Sequence, residues 1–234
     1  MRAPFLLPAM LPLLILATPA AAQVEVTGEA AIVSDYVDRG VSNSDNDAAV
    51  QAGIGVAAEG GAYVSLWGST VDFDDGQEAT VELDYILGYA GAAAGVEYDL
   101  SVAYVSYPGA SGALDYDLWE FGAVATRALG PVVLVGEAIY TPQNSGKAGD
   151  GLYLSGGLEL PLGEAVTIGT HVGRQWVDDE EIAGPDYMDW GVGLVWSLGR
   201  LELGLRYTDT DLGREDCPRL CDSRVVFQAG IALP

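Results

Sequence analysis

The chain has 234 residues, half of them hydrophobic and only 19% charged, with 31 glycines, a composition that argues against intrinsic disorder and demands a large buried or lipid-facing apolar surface. Its 34 acids against 10 bases give a formal net charge of -24, which opposes nucleic-acid phosphates and argues against a nucleic-acid partner. One histidine, two cysteines and a single lysine leave few ways to build a metal centre or an activated nucleophile, so no cofactor and no enzymatic activity are expected.

At the N-terminus, Arg2 precedes an apolar run from Phe5 to Ala17, and Ala20-Ala21-Ala22 offers the small-residue cleavage pattern of a secretory signal. Residues 1–22 are therefore expected to be removed, leaving residues 23–234 as one domain. Pro8 and Pro12 make the run short and kinked for a membrane helix, and no other stretch approaches the roughly 18 apolar residues that a span needs. Export also permits a disulfide.

From Val24 onward apolar residues recur at every second position, the period of a strand. Val81, Leu83, Tyr85, Leu87 and Tyr89 alternate with Glu82, Asp84 and Gly88, and Val96, Tyr98, Leu100, Val102 and Tyr104 alternate with Glu97, Asp99 and Ser101. Twelve such segments are read, near 24–38, 48–58, 62–72, 80–90, 95–107, 116–127, 132–141, 151–160, 165–176, 187–196, 201–210 and 224–232. Most match the roughly 9 to 11 residues that a tilted strand needs to cross a bilayer.

The connections alternate between long (39–47, 73–79, 108–115, 142–150, 177–186, 211–223) and tight (59–61, 91–94, 128–131, 161–164, 197–200). The long ones are rich in acids, whereas the tight ones hold only Glu59, Glu164 and Arg200 as charged residues. Such alternation predicts an all-β, closed antiparallel transmembrane barrel of about twelve strands, with short periplasmic turns and longer extracellular loops. The chain is accordingly expected in the outer membrane of a Gram-negative cell, among lipid and lipopolysaccharide. Tyr36, Tyr104, Trp119, Tyr140, Trp176, Trp190 and Tyr207 are expected to form the girdle at the loop end, with a thinner one of Tyr89, Tyr98 and Trp196 opposite.

Several strings resemble the TorF family of porin-like proteins: Ser34-Asp35-Tyr36-Val37-Asp38-Arg39-Gly40-Val41-Ser42, then Trp67-Gly68-Ser69 with Val71-Asp72-Phe73, and Glu82-Leu83-Asp84-Tyr85. Further matches are Tyr107-Pro108-Gly109, Trp119-Glu120, Asp186-Tyr187, Asp189 to Gly193, and Cys217, Cys221, Asp222 with Arg224 to Phe227. The resemblance implies a proteobacterial outer-membrane barrel with pore function and supplies no catalytic residues. Asp38 departs from a position where that family more often has an aromatic. The chain ends Ala232-Leu233-Pro234 rather than on the aromatic read by barrel-assembly machinery, an expected partner, and Phe227 or Ile231 could serve in place of that terminal residue.

If each oily face meets lipid, Glu29, Glu82, Asp84, Glu97, Asp99, Glu120, Glu137, Glu159, Asp189 and Glu202 point inward. Opposing them are Arg206 and Arg224, with Arg39 near the mouth; Arg127 and Arg174 fall on the lipid side. Unpaired buried charges cost several kcal/mol each, so a water-filled lumen of negative potential is expected, making the protein a passive, cation-preferring pore for small solutes. The competing readings are a closed scaffold in which Glu and Arg form a plug of salt bridges and the loops carry the function, and an outer-membrane hydrolase using His171. That histidine falls on the inward face between Gly169 and Gly173, where a carboxylate partner is expected. Cys217 and Cys221 are expected to close a small loop as a disulfide, and Asp178-Asp179-Glu180-Glu181 reads as a solvated acidic run, with calcium as the alternative.

Overall fold

The structure, a computed structural model, describes residues 24–73 and 79–233. The expected signal segment, residues 1–22, and the terminal Pro234 lie outside them.

Twelve long strands follow one another: β1 (Glu25–Val33), β4 (Ala49–Ala57), β5 (Ala62–Thr70), β6 (Val81–Ala93), β7 (Val96–Ser106), β8 (Leu118–Leu129), β9 (Val132–Thr141), β10 (Gly151–Leu162), β11 (Val166–Val177), β12 (Tyr187–Leu198), β13 (Leu201–Thr210) and β14 (Arg224–Leu233). The two short strands β2 (Val37–Asp38) and β3 (Val41–Ser42) form a separate hairpin between β1 and β4. Each long strand pairs antiparallel with its neighbours, and β1 pairs with β14 from Gly28↔Leu233 to Val33↔Gln228, so the sheet is a closed barrel. Closure satisfies the backbone hydrogen-bonding groups that an open edge would leave bare in hydrocarbon.

Alternation sorts the two faces as the sequence predicts. Ile32, Ile54, Leu66, Leu87, Leu100, Leu158, Val192, Leu205 and Phe227 are exposed on the outside, forming a continuous apolar belt far larger than the patches water-soluble monomers carry. Tight connections lie at one end, at 58–61, 94–95, 130–131, 163–165 and 199–200, and long ones at the other. Ala94 (φ 53°) and Gly95 (φ 78°) both take left-handed backbone, the requirement of a two-residue hairpin whose twist matches its strands. Around the long-loop end Trp119, Tyr140, Trp190 and Tyr207 are exposed. Tyr104 and Tyr207 donate to Asp117 and Asp209 at 2.7 and 2.9 Å, and Tyr140 donates to Asp150, anchoring loop feet to the aromatic ring.

The first strand departs from expectation. It ends at Val33, not near residue 38, and the chain then turns into the barrel instead of out to solvent. Tyr36, expected in the outer girdle, is 3% exposed and packs edge-on against Trp67 with ring centroids 5.6 Å apart. It belongs to an apolar cluster with Val33, Val37, Ala49, Val71, Ala79 and Val226, flanked by Phe73 and Tyr107. The physical reason is that this segment has enough apolar side chains to bury against the inner wall, whereas a girdle tyrosine meets lipid on one face only.

Candidate functional site

The segment from Ser34 to Ala48 is fixed from within. Asp35 accepts hydrogen bonds from the Ser42 hydroxyl (2.6 Å) and the Ser44 hydroxyl (3.1 Å), and pairs with Arg224 at 2.7 Å. Between β2 and β3, Arg39 (φ 45°) and Gly40 (φ 80°) both occupy the left-handed region, as a two-residue hairpin turn requires. A side chain at Gly40 would meet Thr210 and Asp189, so the tip lies close against β12 and β13. Tyr36 reaches Glu82 on β6, Arg39 reaches Glu120 on β8, and Arg206 on β13 donates to the Val37 carbonyl at 3.2 Å. Contacts on well-separated walls mean that the hairpin crosses the barrel interior near the long-loop end.

Arg39 is the electrostatic centre of this arrangement. Its Nη2 lies 2.8 Å from Glu120 Oε1, its Nη1 lies 3.5 Å from Gln175 Oε1, and its guanidinium carbon stands 5.1 Å from the centre of the Tyr153 ring. Nε has no hydrogen-bond partner; Asp38 Oδ2 is 3.8 Å from it. Burial pushes the Asp38 carboxyl up to about 7, and Glu120, Glu82 and Glu137 push the same way against the attraction of Arg39.

The sequence-derived residues fall into two tiers of the interior face. In the tier around the hairpin, Glu82 accepts from Tyr36 (2.7 Å) and Tyr107 (2.6 Å). Asp84 is 1% exposed with Oδ1 lacking a partner. Glu137 accepts from the Ser155 hydroxyl at 3.1 Å. Asp189, fully buried, holds His171 Nε2 at 2.7 Å and accepts from the Tyr153 hydroxyl at 3.0 Å. Gly173 and Gly191 leave the room these rings need, since a side chain there would strike Tyr153 or His171.

The second tier lies toward the tight turns. Asp99 accepts from the Tyr63 hydroxyl at 2.8 Å, and Glu202 accepts from the Ser197 hydroxyl at 3.3 Å. Glu29 lies against Gly53 on the adjacent strand, Glu97 is paired in register with Thr126, and Glu159 is buried with Oε1 unpartnered. A cavity of about 20 Å³ between Tyr63, Asp99, Ser101, Gly122 and Glu137 has room for a single water. Arg224 stands apart from both tiers, at the long-loop mouth with Asp35 and Asn46. On the outside Arg174 lies over Trp176, 5.2 Å from the ring centre, and 3.8 Å from Asp186.

Sequence reasoning missed Asp35, Tyr153, Gln175 and Tyr107, and placed Arg39 only near the mouth. One signal could have found the hairpin. Residues 24–38 are longer than the about 9 to 11 residues a spanning strand needs, and Arg39-Gly40 between Val37-Asp38 and Val41-Ser42 has the form of a short hairpin turn.

Cys217 and Cys221 form the expected disulfide, with Cα atoms 5.8 Å apart. The acidic run opens a short helix, α1 (Glu180–Ala183), capped by the Asp179 carboxylate on the Glu181 amide at 3.1 Å. Among the described residues no group of three His, Cys, Asp or Glu side chains is arranged to hold a metal ion.

A closed, twelve-stranded antiparallel barrel with an apolar outer belt and a carboxylate-rich interior defines a porin-like barrel. Residues 17–228 match the family model of Gcw_chp, described as a bacterial protein of unknown function, and the chain belongs to that family. No curated relative matches the sequence. Among solved structures the fold is similar to that of the NanC porin, at 9% identity and a TM-score of 0.58 over 90% of this chain and 100% of that one. It is also similar to the COG4313 outer membrane channel from Pseudomonas putida F1, at 11% identity and a TM-score of 0.51 over 92% and 96% of the two chains.

Proposed function

We propose that this protein is a passive, cation-preferring channel for small solutes in the outer membrane, exported by a cleaved signal at residues 1–22, with its long loops facing outward. The observation that carries the reading is the imbalance of interior charge. Glu82, Asp84, Glu120, Glu137 and Asp189 surround a hairpin that supplies Arg39, while Glu29, Glu97, Asp99, Glu159 and Glu202 face the other half of the interior. Such a surface gives a negative potential that concentrates cations and repels anions. The similarity to solved porin and channel barrels and the sequence resemblance to TorF-like proteins support it. Planar-bilayer recordings under a KCl gradient test it: reversal potentials should favour K+, and Glu120→Gln with Glu137→Gln should reduce that preference. Anion preference would overturn the reading. The hairpin across the interior favours a second reading, a closed scaffold acting through its loops, which silent bilayers from correctly folded protein would select.

A further inference from the structure

Arg39 occupies a receptor that the barrel wall builds without help from the hairpin. Four successive strands contribute one group each: Glu120 from β8, Tyr153 from β10 and Gln175 from β11 against the guanidinium, and Glu137 from β9 within electrostatic reach of it. The first gives a carboxylate 2.8 Å from a guanidinium nitrogen, and the last a carbonyl oxygen 3.5 Å from another. Tyr153 offers its ring face at 5.1 Å, and its hydroxyl is tied back to Asp189 at 3.0 Å, so the ring is fixed. Acceptors beside an aromatic face are the recognition chemistry of a planar, N–H-bearing cation. A quaternary ammonium, which has no N–H groups, would leave those acceptors unused.

Two further observations indicate that the receptor is not tailored to Arg39 alone. Nε of Arg39 is buried without a hydrogen-bond partner among the described residues, so the tethered side chain leaves one of its donors unsatisfied there. Asp84, 1% exposed and within electrostatic reach of Glu120, has a carboxylate oxygen without a partner among the described residues. Tyr36, which bonds Glu82 next along β6, is within electrostatic reach of both Asp84 and Asp38. The cation is delivered on the tip of a two-residue turn in which Arg39, a residue with a Cβ, takes left-handed backbone (φ 45°).

The geometry points to the Glu120–Glu137–Tyr153–Gln175 cradle as a binding site for guanidinium-bearing solutes, with Arg39 as a tethered stand-in that such a solute displaces. The inference names the solute class of the proposed channel, and the cradle stands independently of whether the barrel conducts. Solutes that also carry a carboxylate should be disfavoured by Glu120, Glu137 and Asp84, so guanidinium compounds without an acid group are the favoured class.

The test is calorimetric titration of methylguanidinium chloride into the refolded full barrel in detergent. Arg39→Ala, which vacates the cradle, should bind at least tenfold more tightly than the wild type. Adding Glu120→Gln to it should lower that affinity at least tenfold, and tetramethylammonium chloride, of equal charge without N–H groups, should bind at least tenfold more weakly. Equal affinity of Arg39→Ala and wild type, or of the two cations, would overturn the proposal. Should Arg39→Ala not fold, hydrogen exchange on the wild type decides: saturating methylguanidinium should quicken exchange of the Asp38 to Ser42 amides at least tenfold, and unchanged exchange would overturn it. Binding in detergent is separate from conduction. Tight binding with silent bilayers removes the channel and keeps the site, whereas conduction with no binding removes the site alone.

Discussion

Asp38 couples the hairpin to pH. Its carboxyl is raised to about 7 by burial among Glu120, Glu82 and Glu137, whereas in a released, solvated hairpin it would titrate near 3.9. A group raised on docking contributes stability that is full below the free value and is lost as pH rises through the docked value. The protection of the hairpin amides, taken relative to the intrinsic exchange rate at each pH, should therefore fall from about pH 4 to pH 8, and Asp38→Asn should flatten that dependence. Tyr36 gives a second residue-scale prediction. Its hydroxyl and that of Tyr107 both bond the buried Glu82, so Tyr36→Phe removes a charge-assisted bond and should cost about 1.5–3 kcal/mol in urea unfolding from lipid vesicles. None of this was legible beforehand: alternation told which face Glu82 takes, but not that a tyrosine from a connection would come inside to meet it.

At the scale of elements, the long strands after the first were readable because one face must meet lipid and the other polar surroundings, which writes a period of two into the sequence. The first strand was read too far because Val37-Asp38 is itself extended, as β2. Periodicity reports local conformation, and the change of strand axis after Val33 leaves the conformation extended on either side. The hairpin and the barrel are separate sheets, so they should be separable by mutation. Replacing residues 36–43 by a short Gly-Ser linker should leave a folded, closed barrel and raise single-channel conductance. A variant that folds and conducts no better than wild type would mean that the hairpin does not limit passage.

The twelve long strands form one closed sheet, with each strand hydrogen-bonded to two neighbours and β1 completing the circle with β14. A closed ladder in detergent resists opening until heated, so unboiled protein should migrate differently from boiled protein on a gel; identical migration would count against closure. The proposed outward orientation of the long loops predicts that a tag near Ser145 labels on intact cells while one near Leu162 does not. Strand number and loop alternation were visible in the sequence because they repeat around the circle. The hairpin occurs once and has no repeat to announce it.

The hairpin also bears on how the circle is completed. It is held from outside by the last connection: the Ser42 amide donates to the Leu220 carbonyl at 2.8 Å, Arg224 at the head of β14 pairs with Asp35 at 2.7 Å, and Arg219 reaches Asp45. These bonds bridge the same two chain ends that β1 and β14 join. A slip of one residue at this seam turns every side chain to the wrong face and is rejected by lipid. A slip of two residues keeps every face correct and is invisible to that criterion. It would, however, move Arg224 by about 7 Å relative to Asp35, at roughly 3.4 Å per residue, and leave a buried carboxylate without its partner. The inner hairpin thus acts as a gauge of closure, distinguishing registers that hydrophobic alternation treats as equal.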